Sequence, residues 1–162
     1  RLPDILDDML AFARGYRGVL ATETMLVAGV NDGEEEVAEV AAFVARLDPA
    51  VAYLSIPTRP PAERWVRRPD ESALLRAYRM MSERVPRVEY LIGYEGNAFS
   101  STGDAKQDLL AITAVHPMRE DAVAELLART GVGWTLVRDL VRQQLLVETE
   151  YEGHRFYVRK LS

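Results

Sequence analysis

Residues 21 to 47, ATETMLVAGVNDGEEEVAEVAAFVARL, spell strand, tight turn and helix without interruption, and a chain built on such a unit has few architectures open to it. From Val19 to Val30 the side chains are mostly aliphatic, with Glu23 the one charge, which predicts a strand buried on both faces. Asn31-Asp32-Gly33 predicts the turn, with Asp32 capping the helix and Glu35 reaching back as the second half of a capping box. Glu34, Glu35 and Glu36 then occupy the first turn, where negative charge suits the helix dipole. Val37, Val40, Ala41, Val44 and Leu47 recur at helical spacing and predict an apolar stripe against a sheet.

The surrounding sequence repeats this unit. Leu2 to Tyr16 predicts a helix with Pro3 in its first turn and Ile5, Leu6, Met9, Leu10 and Ala13 on one side. No strand comes before it, so the expectation is a chain that starts in mid-fold. Val51 to Ile56 predicts a second strand, and Ser72 to Val85 a helix. Val88 to Ile92 predicts a third strand, ended by Gly93. Between them, Pro57 to Asp70 (PTRPPAERWVRRPD) is a stiff basic loop. Alternating strands and helices with short links imply parallel strands joined by right-handed crossovers, in a doubly wound sheet or part of a βα barrel. Chemistry in a barrel gathers at the C-terminal strand ends, here Glu23 to Asn31, Ser55 to Arg59 and Gly93 to Gly96.

The pattern changes after NAFSSTG, residues 97 to 103, which reads as a linker. Helices are expected over Lys106 to Val115, Arg119 to Ala128 and Trp134 to Gln144. A hairpin follows, Leu145 to Tyr151 and Arg155 to Lys160, around Glu152-Gly153. Three helices and a hairpin are the order of a winged helix-turn-helix. The reading is therefore α/β: a partial parallel βα barrel of about three units over 1 to 96, a linker, and a winged-helix domain over 104 to 162.

Charge and composition exclude several function classes. A net charge of -5 opposes bulk electrostatic binding of nucleic acid, and residues 104 to 162 hold eight basic against nine acidic side chains. The chain has no cysteine, which rules out disulfides, a thiol nucleophile and cysteine-ligated metal within it. With His116 and His154 the only histidines, no metal ligands are expected. No apolar run reaches the length of a membrane span and RLPDILDDML lacks a signal pattern, so a cytoplasmic location is expected.

Several side chains have two readings. Glu23 is a ligand contact or a salt-bridged structural carboxylate, since a charge in a buried strand needs a partner. Asn31 and Asp32 read as caps before they read as metal ligands. Arg59, nearest the strand end, is the arginine of its loop that reads as a carboxylate or phosphate clamp. Arg64, Arg67 and Arg68 read as solvated. Arg138 and Arg142 stand one turn apart, as groove-reading residues do, but within an acidic domain.

The run ETMLVAGVNDGEEEVAEVAAFV, followed by AYLSIPTRPPAERWVRRPDE, resembles the later part of the catalytic domain of radical SAM proteins, the group loosely called Fe-S oxidoreductases. The resemblance covers roughly residues 1 to 96 and corresponds to the fourth to sixth strands of a partial βα barrel. It implies a parent enzyme that uses S-adenosylmethionine and a 4Fe-4S cluster. The family's CxxxCxxC motif is absent, so the resemblance implies a C-terminal fragment whose cluster ligands lie elsewhere, inactive alone. Glu23 matches an inward polar position of the fourth strand. Ser55, Thr58 and Arg59 match the end of the fifth, where side chains meet ribose or carboxylate, and Tyr90 to Tyr94 match the sixth, beside the adenine. The fifth-strand GxIxGxxE pattern is missing. The winged helix implies a protein or substrate docking module; the alternative is a ligand-sensing, DNA-binding regulator. A half-barrel also carries an open strand edge, so self-association through Thr24 to Val30 is expected.

Overall fold

The computed structural model describes residues 1 to 93, 99 and 101 to 160. The chain forms two compact units, Arg1–Gly93 and Tyr94–Ser162. Among the described residues no helix is long and apolar enough to cross a membrane.

The first unit runs α1 (Leu2–Gly15), β1 (Ala21–Met25), α2 (Glu34–Leu47), β2 (Val51–Ser55), α3 (Glu71–Ser82) and β3 (Val88–Leu91). Its strands form a parallel sheet in the order β1-β2-β3, with Ala21 opposite Val51 and Ala52 opposite Val88. The alternating pattern of the sequence is therefore realised as consecutive parallel neighbours. Ala52, Leu54 and Val88 face a core made with Val37, Ala41 and Val44 of α2 and Ala77 and Met81 of α3. Both helices thus cover one sheet face, and α1 packs beside α2.

Three local expectations are corrected. The first strand is five residues, not twelve, and it alternates between exposed and half-buried positions. As the end strand of the sheet it has a neighbour on one side only, so it cannot be buried throughout. Helix α2 is capped by the backbone at Gly33, with no side-chain cap. Asp32 instead turns back, its Oδ1 accepting from the Gly29 N–H at 2.7 Å. The capping box fails because that carboxylate is committed to the turn. Finally, of the expected apolar stripe of α1 only Leu10 is buried, and Ile5 and Met9 are exposed. Helix α3 shows what a side-chain cap looks like here: Asp70 Oδ1 accepts from the Ala73 N–H at 2.7 Å. That bond, with one from Ser72, holds the Asp70 carboxyl below its ordinary value.

The second unit runs α4 (Ala105–Val115), β4 (Met118–Arg119), α5 (Glu120–Thr130), α6 (Thr135–Arg142), β5 (Leu146–Tyr151) and β6 (His154–Arg159). Its antiparallel sheet has the order β4-β6-β5. The two-residue β4, which no sequence pattern signalled, fills the position after His116-Pro117 and pairs Met118 with Tyr157. Glu152 and Gly153 both adopt positive φ, 50° and 73°, as a two-residue hairpin loop of this twist requires. Leu109, Met118, Val123, Leu126, Leu140 and Leu146 form the core.

Of the residues read as a linker, 97, 98 and 100 lie outside the described residues. Phe99 packs against the second core. The Asp108 carboxylate, 5% exposed, accepts from Ser101 Oγ, the Thr102 N–H and Thr102 Oγ1 at 2.8 to 2.9 Å. The Thr102 hydroxyl, joined by the other donors, holds this carboxyl below its ordinary value against the opposing effect of burial.

Two outcomes follow for stability. Leu54→Ala, at a position with no exposed surface, is expected to cost the first unit about 2–5 kcal/mol in a denaturant titration. For Asp108 the folded pKa lies below the unfolded one. Its stabilisation is therefore complete above the unfolded carboxylate value of about 3.9 and is lost as pH falls through the folded value. Asp108→Asn is expected to destabilise the second unit at neutral pH, and the gap to the parent chain should close as pH drops below about 4. A gap independent of pH would contradict this.

Candidate functional site

Parallel strands send their C-terminal ends to one side, and in this unit the residues just beyond those ends collect there. Successive side chains alternate faces. With Ala52 and Leu54 under the helices, Tyr53 and Ser55 point to the other face, together with Glu23 and Met25 of β1 and Glu89 and Leu91 of β3. Two cross-strand rows result, Glu23-Tyr53-Glu89 and then Met25-Ser55-Leu91 at the C-terminal edge. Glu89 is held by Arg87, whose Nε donates to Oε1 at 2.7 Å.

The loops beyond this edge are tied together. The Leu26 N–H donates to the Ser55 carbonyl and the Ala28 N–H to the Arg67 carbonyl, both at 2.9 Å. Asn31 closes the loop after β1: its Oδ1 accepts from the Val27 N–H at 2.7 Å and its Nδ2 donates to the Met25 carbonyl at 2.9 Å. Asn31 is therefore not a helix cap but the clasp of a turn. Arg76 of α3 adds a long bond, 3.4 Å, to the Asp32 carbonyl.

Ser55 is 4% exposed, and its hydroxyl is buried without a hydrogen-bond partner. Leaving such a group unpaired costs about 1–3 kcal/mol, so it is a place where a bound polar atom gains. Thr58 and Arg59, both half-buried, follow three and four residues on in the loop leaving β2. Arg67 folds back on its own loop, donating to the Arg64 and Val66 carbonyls. It is a structural residue. Arg64 and Arg68 are exposed.

Glu23 departs from expectation. It is exposed rather than buried, so its charge needs no partner to be tolerated. It lines a groove of about 550 Å³ between α1 and the rim of β1, which Ser55, Thr58 and Arg59 do not line. The expected inward position became an exposed one because β1 ends the sheet. Of the sixth-strand positions, Tyr90 lies in β3 and stacks on Tyr78 with centroids 4.8 Å apart, on the helix-covered face. Burial raises its phenol pKa. Gly93 is exposed, and Tyr94 through Gly96 lie outside the described residues. Tyr53, between two carboxylates, is a site-face residue that sequence reading passed over. The alternation in VAYLS was the available signal.

The clasp yields a prediction: Asn31→Ala is expected to lower stability by about 1–2 kcal/mol and to speed amide exchange at Val27. Unchanged exchange there would show that the turn holds without it.

Comparison with known proteins finds similarity to UPF0026 protein MJ1312 of Methanocaldococcus jannaschii. The two are 33% identical over 163 residues, covering 99% of this chain and 51% of that protein. The chain spans about half the length of this relative. No family model matches the chain, and no solved structure matches it significantly.

Proposed function

We propose that the chain is the C-terminal portion of a cytoplasmic radical SAM iron-sulfur oxidoreductase, a partial βα barrel that contributes part of the S-adenosylmethionine and substrate pocket, joined to a winged-helix docking module. The observation that carries the reading is the position of Ser55 at the C-terminal end of the middle strand of a consecutively ordered parallel sheet, with Thr58 and Arg59 in the loop just beyond, where βα barrels hold their ligands. In that family the cofactor pair supplies a 5'-deoxyadenosyl radical.

The two cofactors fit these residues differently. The chain has no cysteine, and among its described residues no three His, Cys, Asp or Glu side chains are grouped so that they could hold a metal ion. A 4Fe-4S cluster has no ligands here and belongs to another part of the protein. S-adenosylmethionine fits better: the buried, unpartnered Ser55 hydroxyl suits a ribose or amino group. The Arg59 fork suits a carboxylate and Thr58 a further polar contact.

The order α4-β4-α5-α6-β5-β6 with sheet order β4-β6-β5 supports the winged helix. Several of its cations are engaged locally, Arg142 with Asp139 at 3.0 Å and Arg155 with Glu148 and Glu120 at 3.0 and 3.2 Å. Arg138 donates to Thr135. With a net acidic balance, this favours a protein partner over DNA phosphates. The same topology is what supports the rival reading, a ligand-sensing DNA-binding regulator, and loss of all duplex binding at low salt removes it.

The enzyme reading is tested on the full-length protein, reconstituted anaerobically with iron and sulfide. A reduced-cluster paramagnetic signal that changes on adding S-adenosylmethionine is expected. Arg59→Ala should weaken that binding about tenfold, roughly 1.4 kcal/mol, while Arg64→Ala should not. No cluster and no binding in the full-length protein would sink the reading.

A further inference from the structure

The groove beside β1 has the form of a vacant strand position. The Leu26 N–H donates to Ser55 and the Leu20 carbonyl accepts from Ala50, so the even-numbered residues of this stretch turn their peptide groups toward β2. Peptide groups alternate sides along a strand. The N–H and C=O groups of Ala21 and Glu23, and the N–H of Met25, therefore point out from the sheet. The next acceptor, the Met25 carbonyl, is already taken by Asn31 Nδ2. The free edge is thus bounded: it offers bonds over Ala21 to Met25 and stops there. Thr24 to Val30, the expected contact, is not a continuous edge, because 26 to 31 fold into the clasped turn.

The apolar wall of the groove points the same way. Ile5, Met9 and Phe12 of α1 line it with Leu20 and Thr22, and Phe12 is 58% exposed. A crossover helix normally lies over the two strands it joins. α2 connects β1 to β2 and α3 connects β2 to β3, and both pack on the same face. α1 leads into β1 beside α2 and so stands where a helix entering from one more strand, outside β1, would stand. The archaeal relative is about twice as long as this chain, so chain enough for such a strand exists in a protein of this kind.

We propose that the groove between α1 and the free edge of β1 seats one further parallel β-strand, supplied by the remainder of the full-length protein. It would be about five residues long, matching the free edge. Apolar residues at alternate positions would pack on Met9 and Phe12, and a polar or basic one would stand beside Glu23. The proposal rests on the preceding reading only in taking the chain as part of a longer one, not on its chemistry.

The test compares this chain with the full-length protein in which it occurs. Amide exchange at Ala21, Glu23 and Met25 is expected to be about tenfold or more slower in the full-length protein. Glu23→Pro removes an N–H that β2 does not use, and proline is tolerated on an edge strand of that orientation. It should leave the thermal midpoint of this chain nearly unchanged and lower that of the full-length protein. Equal exchange in both forms, or a proline that costs the full-length protein no more than this chain, overturns the proposal. So does protection of the same amides in this chain alone that grows with concentration, which would assign the edge to a second copy. None of these readings uses iron or S-adenosylmethionine, so a failed strand seat and a failed enzyme reading are told apart.

Discussion

Leu54 has no surface exposed to solvent and stands in the middle strand of the parallel sheet, between the helices above and a strand on either side. Burial of such a side chain contributes about 1.5–3 kcal/mol, and it lies in the core that the strands share with helices α2 and α3. Everything at the C-terminal edge inherits its place from that contact. The alternation that puts Ala52 and Leu54 under the helices is what turns Tyr53 and Ser55 to the opposite face, and Ser55 in turn anchors the loop after β1 through its carbonyl.

How much of this could be read from the residues depended on whether the signal was local. Val51 to Ser55 is apolar because both its neighbours and its helices bury it, so composition and structure agree. Ala21 to Met25 precedes an equally apolar run, yet its burial depends on how many strands lie beyond it, a property of the sheet and not of the segment. The same limit explains the two caps. Asp70 and Asp32 each come just before a helix, but Asp70 occupies the N-cap position, whereas Asp32 stands one residue before the Gly33 N-cap with its carboxylate turned back to the Gly29 N–H. Glu23 was singled out for being a charge in an apolar run; its exposure followed from the sheet edge, which sequence spacing does not encode. Ser55, Thr58 and Arg59 were legible as neighbours in the chain at a strand end, whereas the missing partner of the Ser55 hydroxyl required coordinates.

The second unit shows the complementary case. Its helices and hairpin carry strong local signals, and they lie close to where spacing placed them. What spacing did not supply was the short β4 and the Asp108 network, because both are made of ordinary polar or single apolar residues whose partners are distant or irregular. The charge count, by contrast, needed no structure, and the local ion pairs give it a physical form.

The strand registers of the two sheets also set how each unit comes together in time. Tyr151 and His154 pair across two residues, so the β5-β6 ladder can zip from its loop within about 1–10 μs. Ala21 must find Val51 and Ala52 must find Val88, partners thirty and thirty-six positions away, before either parallel ladder returns any hydrogen bond. Loop closure is opposed by entropy until those contacts form. As the chain collapses, the hairpin of the second unit has a local route to its register, while the parallel strands spend longer with their peptide groups unpaired.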